Sequence, residues 1–217
     1  NTADSYWYGD YSAGSGWGVT PGDYGVLNLF MGNGAEWKGY TAYATNLVMD
    51  SGATWYGYSH NNENLIMSLK NEAMWTPTTA GTSTLTDSKV REFTGDAGYI
   101  YMSDDNAVNV TVGKFDGNTT LLYDHEIAED GTVNIVGGNF TVQSAEAGSK
   151  VTLITDNEGI DVTDRELANQ VLDDMAGKLF YTGYINGVNE EDGSVVEGER
   201  NLFGTVKIAE GLTTASV

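Results

Sequence analysis

The chain has 217 residues, of which 40% are hydrophobic, and its 10 basic and 31 acidic side chains give a formal net charge of −21. A surface this acidic repels phosphate backbones and anionic lipid, so we expect no nucleic-acid partner. No run of the sequence approaches the ~20 apolar residues of a membrane span, so we expect no membrane insertion by this segment.

The composition favours many short strands joined by turns. Glycine accounts for 28 residues, whereas proline, which would remove hydrogen bonds from a sheet, occurs only at Pro21 and Pro77. The chain has no cysteine, so its stability must come from the core alone. Because the sequence begins at Asn1 with neither Met nor a signal peptide, we expect a mature or excised segment of a longer protein.

Residues 1–25 are rich in Gly, Tyr, Ser and Trp. Trp7-Tyr8-Gly9 and Trp17-Gly18 echo the Trp-x-Gly element of the phrase that follows them, but its Asn-Leu half is missing. Terminal repeats are commonly atypical because they cap a stack, so we predict a degenerate first coil or cap here.

One short phrase occurs three times in residues 26–76. Its copies begin at Asn28, Asn46 and Asn64 with Asn-Leu-x-Met, and a turn and a Trp follow. The first two copies keep one interval of 18 (46 minus 28) at every marked position. The third starts after the same interval (64 minus 46) but gains two residues before its Trp.

A fixed period near 20 with apolar alternation predicts a solenoid of coils, with like residues stacked about 4.8 Å apart. We therefore predict an all-β fold, a right-handed parallel β-helix with coils of about 18–20 residues. Residues 1–217 would form a single domain, with the repeats over 26–160.

The apolar residues of the phrase are predicted to face inward. Trp37, Trp55 and Trp75 share the alternation of the alanines two positions before them, so we place them in the core. The alternative is an external ladder of indole rings that stacks on sugars. The flanking Tyr40, Tyr56 and Tyr58 are predicted to form an interaction surface, since tyrosine is enriched at protein interfaces.

The phrase decays from residue 77 to 160, but valine alternation persists, as in Val108, Val110 and Val112. We predict turns at Asp116-Gly117-Asn118 and at Asp130-Gly131. Because Asp-Gly is also a hairpin signal, an antiparallel β-sandwich is the alternative fold for the C-terminal half.

Residues 163–177 carry a helical pattern within the C-terminal segment 161–217. Thr163 followed by Glu166 is typical of a capping box, and Gly177 lies where a helix would end. We predict one short amphipathic helix near 163–177, lying on the solenoid or covering a loop. After it we expect a strand, an acidic Gly-rich loop and a last strand, over Leu179–Ile185, Asn186–Arg200 and Phe203–Ile208.

Three segments together resemble the passenger region of autotransporters, the type V secreted surface proteins of diderm bacteria. They are the Asn-Leu-x-Met … Gly-Ala-x-Trp phrase, Gly131-Thr132-Val133-Asn134-Ile135-Val136-Gly137-Gly138-Asn139-Phe140-Thr141-Val142, and Gly148-Ser149-Lys150-Val151-Thr152-Leu153. The resemblance implies export to the bacterial cell surface, a right-handed β-helix and a role in adhesion or host interaction. The helix near 163–177 departs from the simplest passenger coil. A membrane barrel downstream of Val217 would establish this route of secretion.

Acidic clusters occur at Asp104-Asp105-Asn106, Asp156-Asn157-Glu158 and Glu190-Glu191-Asp192-Gly193. None has the spacing of an EF-hand or of a calcium-binding nonapeptide repeat. We therefore interpret them as turn residues and expect no cofactor, with calcium at most incidental.

The sequence predicts no catalytic site. The basic residues are scattered singly, and Asp124-His125-Glu126 cannot all face one site on a strand. His60 belongs to no nucleophile or metal motif. Our hypothesis is a non-enzymatic extracellular β-helix that displays or spaces an interaction or adhesion surface for a protein or glycan. The alternatives are a self-assembling extracellular filament protein and a carbohydrate-active β-helix enzyme.

Overall fold

The computed structural model describes residues 6–8, 26–42, 45–60, 64–79, 81, 84–182, 187–188, 195–196 and 201–210. The backbone alone is described at 6–8, 42, 60, 187–188 and 195–196. The described part is mostly β-structure with one helix, as the sequence predicts. The first nine strands are β1 (Tyr6–Tyr8), β2 (Leu27–Met31), β3 (Glu36–Lys38), β4 (Thr41–Ala42), β5 (Thr45–Met49), β6 (Thr54–Gly57), β7 (Ser59–His60), β8 (Leu65–Lys70) and β9 (Met74–Pro77). The later elements are β10 (Asp87–Tyr101), β11 (Asn109–Leu122), β12 (Asp124–Ile127), β13 (Val133–Val136), β14 (Phe140–Ala145), β15 (Ser149–Asp156), α1 (Arg165–Ala176), β16 (Leu179–Tyr181), β17 (Gly187–Val188), β18 (Val195–Val196) and β19 (Leu202–Ala209).

Most of these strands belong to one large parallel sheet in which the chain passes repeatedly through the same stacks. We call each passage a tier. The first stack contains β2, β5 and β8, continued by the middle of β10 and β11. The second contains β1, β3, β6 and β9, continued by the ends of β10 and β11 and then by β15 and β19. A third stack contains the starts of β10 and β11, followed by β14 and β16.

Like residues lie above like residues in the three successive tiers that follow β1, residues 27–77, which we call the first three tiers. Leu29 aligns with Leu47 and Met31 with Met49, as the constant spacing of the phrase predicts. The third tier differs from the prediction, because Leu47 aligns with Met67, an interval of 20 (67 minus 47). The two extra residues therefore precede β8, and the expected insertion before Trp75 is wrong. A shift of two residues in a strand keeps every side chain on its face, so the buried pattern is unchanged.

The predicted tryptophan core is confirmed. Trp37, Trp55 and Trp75 are each 0% exposed, and their rings stack in sequence with centroids 5.0 and 5.2 Å apart. The indole nitrogen of Trp55 donates to the carbonyl of Gly39 at 2.9 Å, and that of Trp75 donates to Gly57 at 3.0 Å. The rings of Trp55 and Trp75 are thereby hydrogen-bonded to the tier before them. The glycine of the Trp-x-Gly element is explained by close packing, since a Cβ at Gly57 would lie 1.8 Å from the carbonyl oxygen of Gly39.

The corner between the first two stacks repeats in the same tiers. It has two successive residues with positive φ, at Asn33-Gly34 (52° and 74°), Ser51-Gly52 (52° and 72°) and Asn71-Glu72 (45° and 65°). The amide of Gly34 donates to Ser51 and that of Gly52 to Asn71, so each corner is bonded to the next. Only the third tier has a residue other than glycine at the second position, where the left-handed conformation costs an L-residue roughly 1–2 kcal/mol.

The expected turn at Asp116-Gly117-Asn118 is wrong. These residues lie inside β11, which runs unbroken beside β10 through both corners. Gly117 has a φ of 83°, and a Cβ there would lie 2.1 Å from the carbonyl oxygen of Gly95 in the strand before it. Gly95 and Gly117 pair at this corner, and the register of the two strands shifts just after it, between Asp96 and Gly98 of β10, before the pairing resumes. Asp-Gly marks a bend here, and periodicity alone does not separate a bend from a loop.

The expected turn at Asp130-Gly131 is confirmed, and it closes an antiparallel hairpin of β12 and β13. Among the described strands of the C-terminal half, antiparallel pairing is confined to this hairpin and to β17–β18, so the β-sandwich alternative is wrong. β14 and β15 return to the parallel stacks, and the continuous core runs from Met31 to Leu202.

The predicted helix is confirmed as α1, but its cap is one residue later than expected. Asp164 is the N-cap, because its carboxylate accepts from the amides of Glu166 and Leu167 at 3.0 and 3.2 Å. Thr163 instead donates to Asp161, which precedes the helix. The last strand is confirmed as β19, whereas β16 ends at Tyr181, and the loop expected over 186–200 lies largely outside the described residues.

Candidate functional site: an acidic cleft

Two long connections in the later tiers build a lobe on the side of the sheet. Leu121 aligns with Leu153, an interval of 32 (153 minus 121), and the hairpin β12–β13 occupies part of it. Leu153 aligns with Val206, an interval of 53 (206 minus 153), and α1 lies within it. The hairpin and the helix share a small apolar cluster of Val133, Ile160 and Val171, with Ile135, Leu167 and Ile208 packed against it. We call the hairpin, residues 157–164 and α1 the side lobe.

A cleft of about 470 Å³ opens where the side lobe meets the sheet. Five carboxylates line it, from the turn before β11, from the hairpin and from the end of β15. They are Asp105, Asp124, Glu126, Asp156 and Glu158. The lining also includes Ser103, His125, Ile127 and Val136. The cleft therefore collects acidic side chains that are far apart in the sequence.

The inner wall of the cleft is held by hydroxyl groups. The Tyr101 hydroxyl donates to the carboxylate of Asp124. The Ser103 hydroxyl donates to the carbonyl of Val136 at 2.7 Å and accepts from the amide of Asp124 at 2.8 Å. Burial raises the pKa of Tyr101 far above its usual range, and the hydrogen bond to Asp124 adds to this effect. Tyr101 is therefore neutral and fixes Asp124 as an acceptor.

His125 joins the hairpin to the end of β15. Its Nε2 lies 2.8 Å from the carbonyl oxygen of Glu158, so Nε2 is the donor in that bond. Its Nδ1 lies 3.1 Å from the Thr155 hydroxyl and 3.6 Å from the Asp156 carboxylate. With only 6% of its side chain exposed, the imidazole is a positioning element within an acidic wall.

The sequence argument about Asp124-His125-Glu126 is wrong, because all three residues line the cleft. Alternation on a strand was expected to point them to opposite sides. The hairpin, however, stands off the main sheet as a separate two-stranded ribbon, so the cleft reaches both of its faces. Despite this concentration of acidic groups, the described residues contain no cluster of three or more ligands that could hold a metal ion.

Two of the three acidic clusters are turn residues, as predicted. Asp104 accepts from the amide of Asn106 and from the Thr78 hydroxyl. Asp156 accepts from the amide of Glu158 at 3.0 Å. The third cluster, residues 190–193, lies outside the described residues.

The three tyrosines of the predicted interaction surface differ in their exposure. Tyr40 and Tyr56 are half-buried, and the Lys38 ammonium lies 5.2 Å from the centre of the Tyr56 ring. Tyr58 is only 6% exposed, so its placement on the surface is wrong. The chain turns after Gly57, at the end of β6, and the alternation that kept Tyr56 outside no longer applies. The Tyr40 ring covers Tyr58 at a centroid distance of 5.5 Å.

Sequence reasoning missed the cleft, although two of its components carried signals. The Asp-Gly turn marked the hairpin, and two acidic clusters marked turns next to strands. Their meeting depends on how two long connections pack, which no local pattern encodes. Comparisons with protein-family models, with curated proteins and with solved structures found no match. Within the described ranges, no helix has both the length and the apolar character needed to span a membrane.

Proposed function

We propose that the chain is a right-handed parallel β-helix segment at a bacterial cell surface, of the autotransporter passenger type. It would act without catalysis, as a scaffold that displays an interaction surface outside the cell. The observation that supports this proposal is the acidic cleft, which is built by additions to a regular stack and leaves the core of that stack continuous.

The partner that suits the cleft is a protein surface carrying lysine or arginine. Five carboxylates line the cleft, and His125 is the one basic side chain among its lining residues. The net charge of −21 attracts a cationic partner from a distance and accelerates its encounter with the cleft. Charged groups of this kind govern specificity and association rate more than area does.

The test is binding of a lysine-rich peptide to the protein at low and at moderate salt. The variant Glu126→Gln/Glu158→Gln neutralises two exposed carboxylates of the cleft and should weaken binding at least tenfold. The matched control is Glu129→Gln/Glu210→Gln, which changes the net charge equally at exposed positions that do not line the cleft. If the two double variants lost the same amount of peptide affinity, the effect would be due to the overall charge of the protein, and the proposal would be contradicted.

A carbohydrate-active enzyme is the second candidate, and the same cleft is the observation that favours it. Glycoside hydrolysis commonly needs two carboxylates on opposite sides of the bond to be cleaved. Asp124 on the hairpin and Asp156 at the end of β15 enter the cleft from different elements. Turnover of a polysaccharide that is abolished by Asp156→Asn would establish this alternative, and absence of turnover over a broad panel favours the scaffold.

Self-assembly is the third candidate. Among the described strands, β19 pairs only with β15, and β2 pairs only with β5. A strand with one unpaired edge is a template for another chain. Ordered filaments in electron microscopy would support this candidate, and a monomer in sedimentation at high concentration would contradict it.

A further inference from the structure

A notch on the outer face of the third stack gathers two of the chain's few basic residues. Lys89 and Arg91 lie two positions apart on the exposed side of β10. The notch measures about 260 Å³ and is also lined by Thr111, Gly113 and Gln143 from the next two tiers. The expectation that basic residues are scattered singly is therefore wrong here.

The notch exists because its central position has no side chain. Gly113 lies between Val112 and Lys114, which pair with Val90 and Glu92 of β10. A Cβ at Gly113 would lie 2.7 Å from the carbonyl oxygen of Arg91, so close approach of the two strands requires glycine. The missing side chain leaves a gap between Arg91 on one side and Gln143 on the other.

We propose that this notch binds an acidic sugar, a single ring with one carboxylate and several hydroxyls. The carboxylate would pair with Lys89 and with the terminal nitrogens of Arg91, whose Nε already contacts Glu92 at 3.2 Å. The Thr111 hydroxyl and the Gln143 amide supply donors and acceptors for sugar hydroxyls. The proposal rests on the display function above and gives it a glycan ligand at a site distinct from the acidic cleft.

Charge and shape favour a sugar over other anions. The net charge of −21 repels polyanions of high charge density, so a ligand with one carboxylate per ring is tolerated where a polyphosphate is not. The notch lies on the face of strands that are already paired within the sheet, so a peptide cannot extend that sheet there. Hydroxyl and amide groups beside the two cations match a polyhydroxylated ring.

The experiment is an NMR titration of the ¹⁵N-labelled protein with galacturonic acid, and with galactose as the neutral analogue. Amide shifts should concentrate at residues 89–91, 111–113 and 143, and galactose should bind at least tenfold more weakly. Lys89→Gln/Arg91→Gln should weaken binding at least tenfold. The matched control Lys150→Gln/Lys207→Gln removes the same charge at exposed positions outside the notch and should bind normally.

Two further variants show whether a negative result concerns the notch or the acidic cleft. Gln143→Glu adds a negative charge at an exposed position of the notch and should abolish binding without unfolding the protein. The cleft variant Glu126→Gln/Glu158→Gln should leave sugar binding unchanged, so loss of peptide binding and loss of sugar binding are separable results. Shifts spread over the whole surface, equal binding of galactose, or preference for an acidic peptide would each overturn the proposal.

Discussion

The first three tiers, residues 27–77, and the later tiers, residues 87–209, share one interior but use their connections differently. In the first three, successive tryptophans follow at intervals of 18 (55 minus 37) and 20 (75 minus 55), and short turns join the strands. In the later tiers the intervals reach 32 (153 minus 121) and 53 (206 minus 153), and the extra chain forms a hairpin, a helix and the acidic cleft. The regular tiers therefore specify shape, and the long connections supply chemical diversity without disturbing the stack.

The interiors of the two regions also differ in chemistry. Trp75 of the third tier aligns with Ile100, which aligns with Leu121 and then with Leu153. Flat rings hydrogen-bonded between tiers thus give way to aliphatic side chains in the same stack. Aliphatic residues pack well without a hydrogen-bond partner, so the later tiers can change length with fewer constraints on register.

The largest expected effect tests this difference in the core. Trp55→Ala removes a ring stacked on both sides and should lower the free energy of unfolding by about 3–5 kcal/mol. Leu153→Ala, in the same stack of the later tiers, should cost about 2–5 kcal/mol and less than Trp55→Ala in a direct comparison. Urea denaturation measures both. A greater loss at Leu153 would contradict the view that the regular tiers are the more tightly constrained region.

The next effect concerns backbone contact between regular tiers. Gly57→Ala places a Cβ against the carbonyl of Gly39 and should cost about 1–3 kcal/mol or more, because backbone atoms must move. The control is Gly32→Ala, whose nearest neighbour is the exposed Phe30 ring at 3.3 Å. That ring can rotate away, so the control should be nearly neutral. Thermal unfolding of the two variants compares them directly.

A smaller effect separates the side lobe from the stack. Asp164→Ala removes the N-cap of α1 and should cost about 1 kcal/mol. Thr163→Ala, at the cap expected from sequence, should have less effect because its hydroxyl bonds outside the helix. Amide hydrogen exchange should accelerate in α1 and leave the tryptophan tiers protected. Faster exchange throughout the chain would mean that lobe and stack unfold as one unit.

The smallest effect is a gain in stability. Glu72→Gly restores at the third corner the glycine found at Gly34 and Gly52, and it relieves a φ of 65°. Relief of about 1 kcal/mol is partly offset by the greater freedom of glycine in the unfolded chain, so the net gain should be under about 1 kcal/mol. Glu72→Ala keeps the strained conformation and serves as control. A loss of stability on introducing glycine would show that the Glu72 side chain contributes contacts that outweigh the strain.

The sequence predicted the parts of this fold that depend on local periodicity. The buried tryptophans, the helix and the last strand all follow from spacing and parity. The position of the two-residue insertion in the third tier was not predicted. Asn64-Leu65 has the same sequence as the start of the phrase, and a shift of two residues leaves the alternation of buried and exposed side chains unchanged. Tyr58 was wrongly expected on the surface, because the alternation of inward and outward side chains holds only within a strand and β6 ends at Gly57.

The two candidate sites could be predicted from the sequence even less well than the fold. Asp124, Asp156 and Glu158 meet only because two long connections fold against each other. The notch at Gly113 depends on the alignment of three strands. Both arrangements depend on tertiary packing between segments that are distant in sequence. Local sequence patterns identify the residues of each site but do not predict that these residues come together.

The indole bond between tiers also bears on how such a chain can change its length. A repeat unit such as residues 40–57 carries both a glycine carbonyl that accepts from the next tier, at Gly57, and a tryptophan that donates to the tier before, at Trp55. Tandem duplication of that unit in the gene would leave every indole nitrogen with an acceptor and every ring with a neighbour. Growth by whole units is therefore tolerated by the core, whereas a gain of one residue would turn each following side chain to the opposite face.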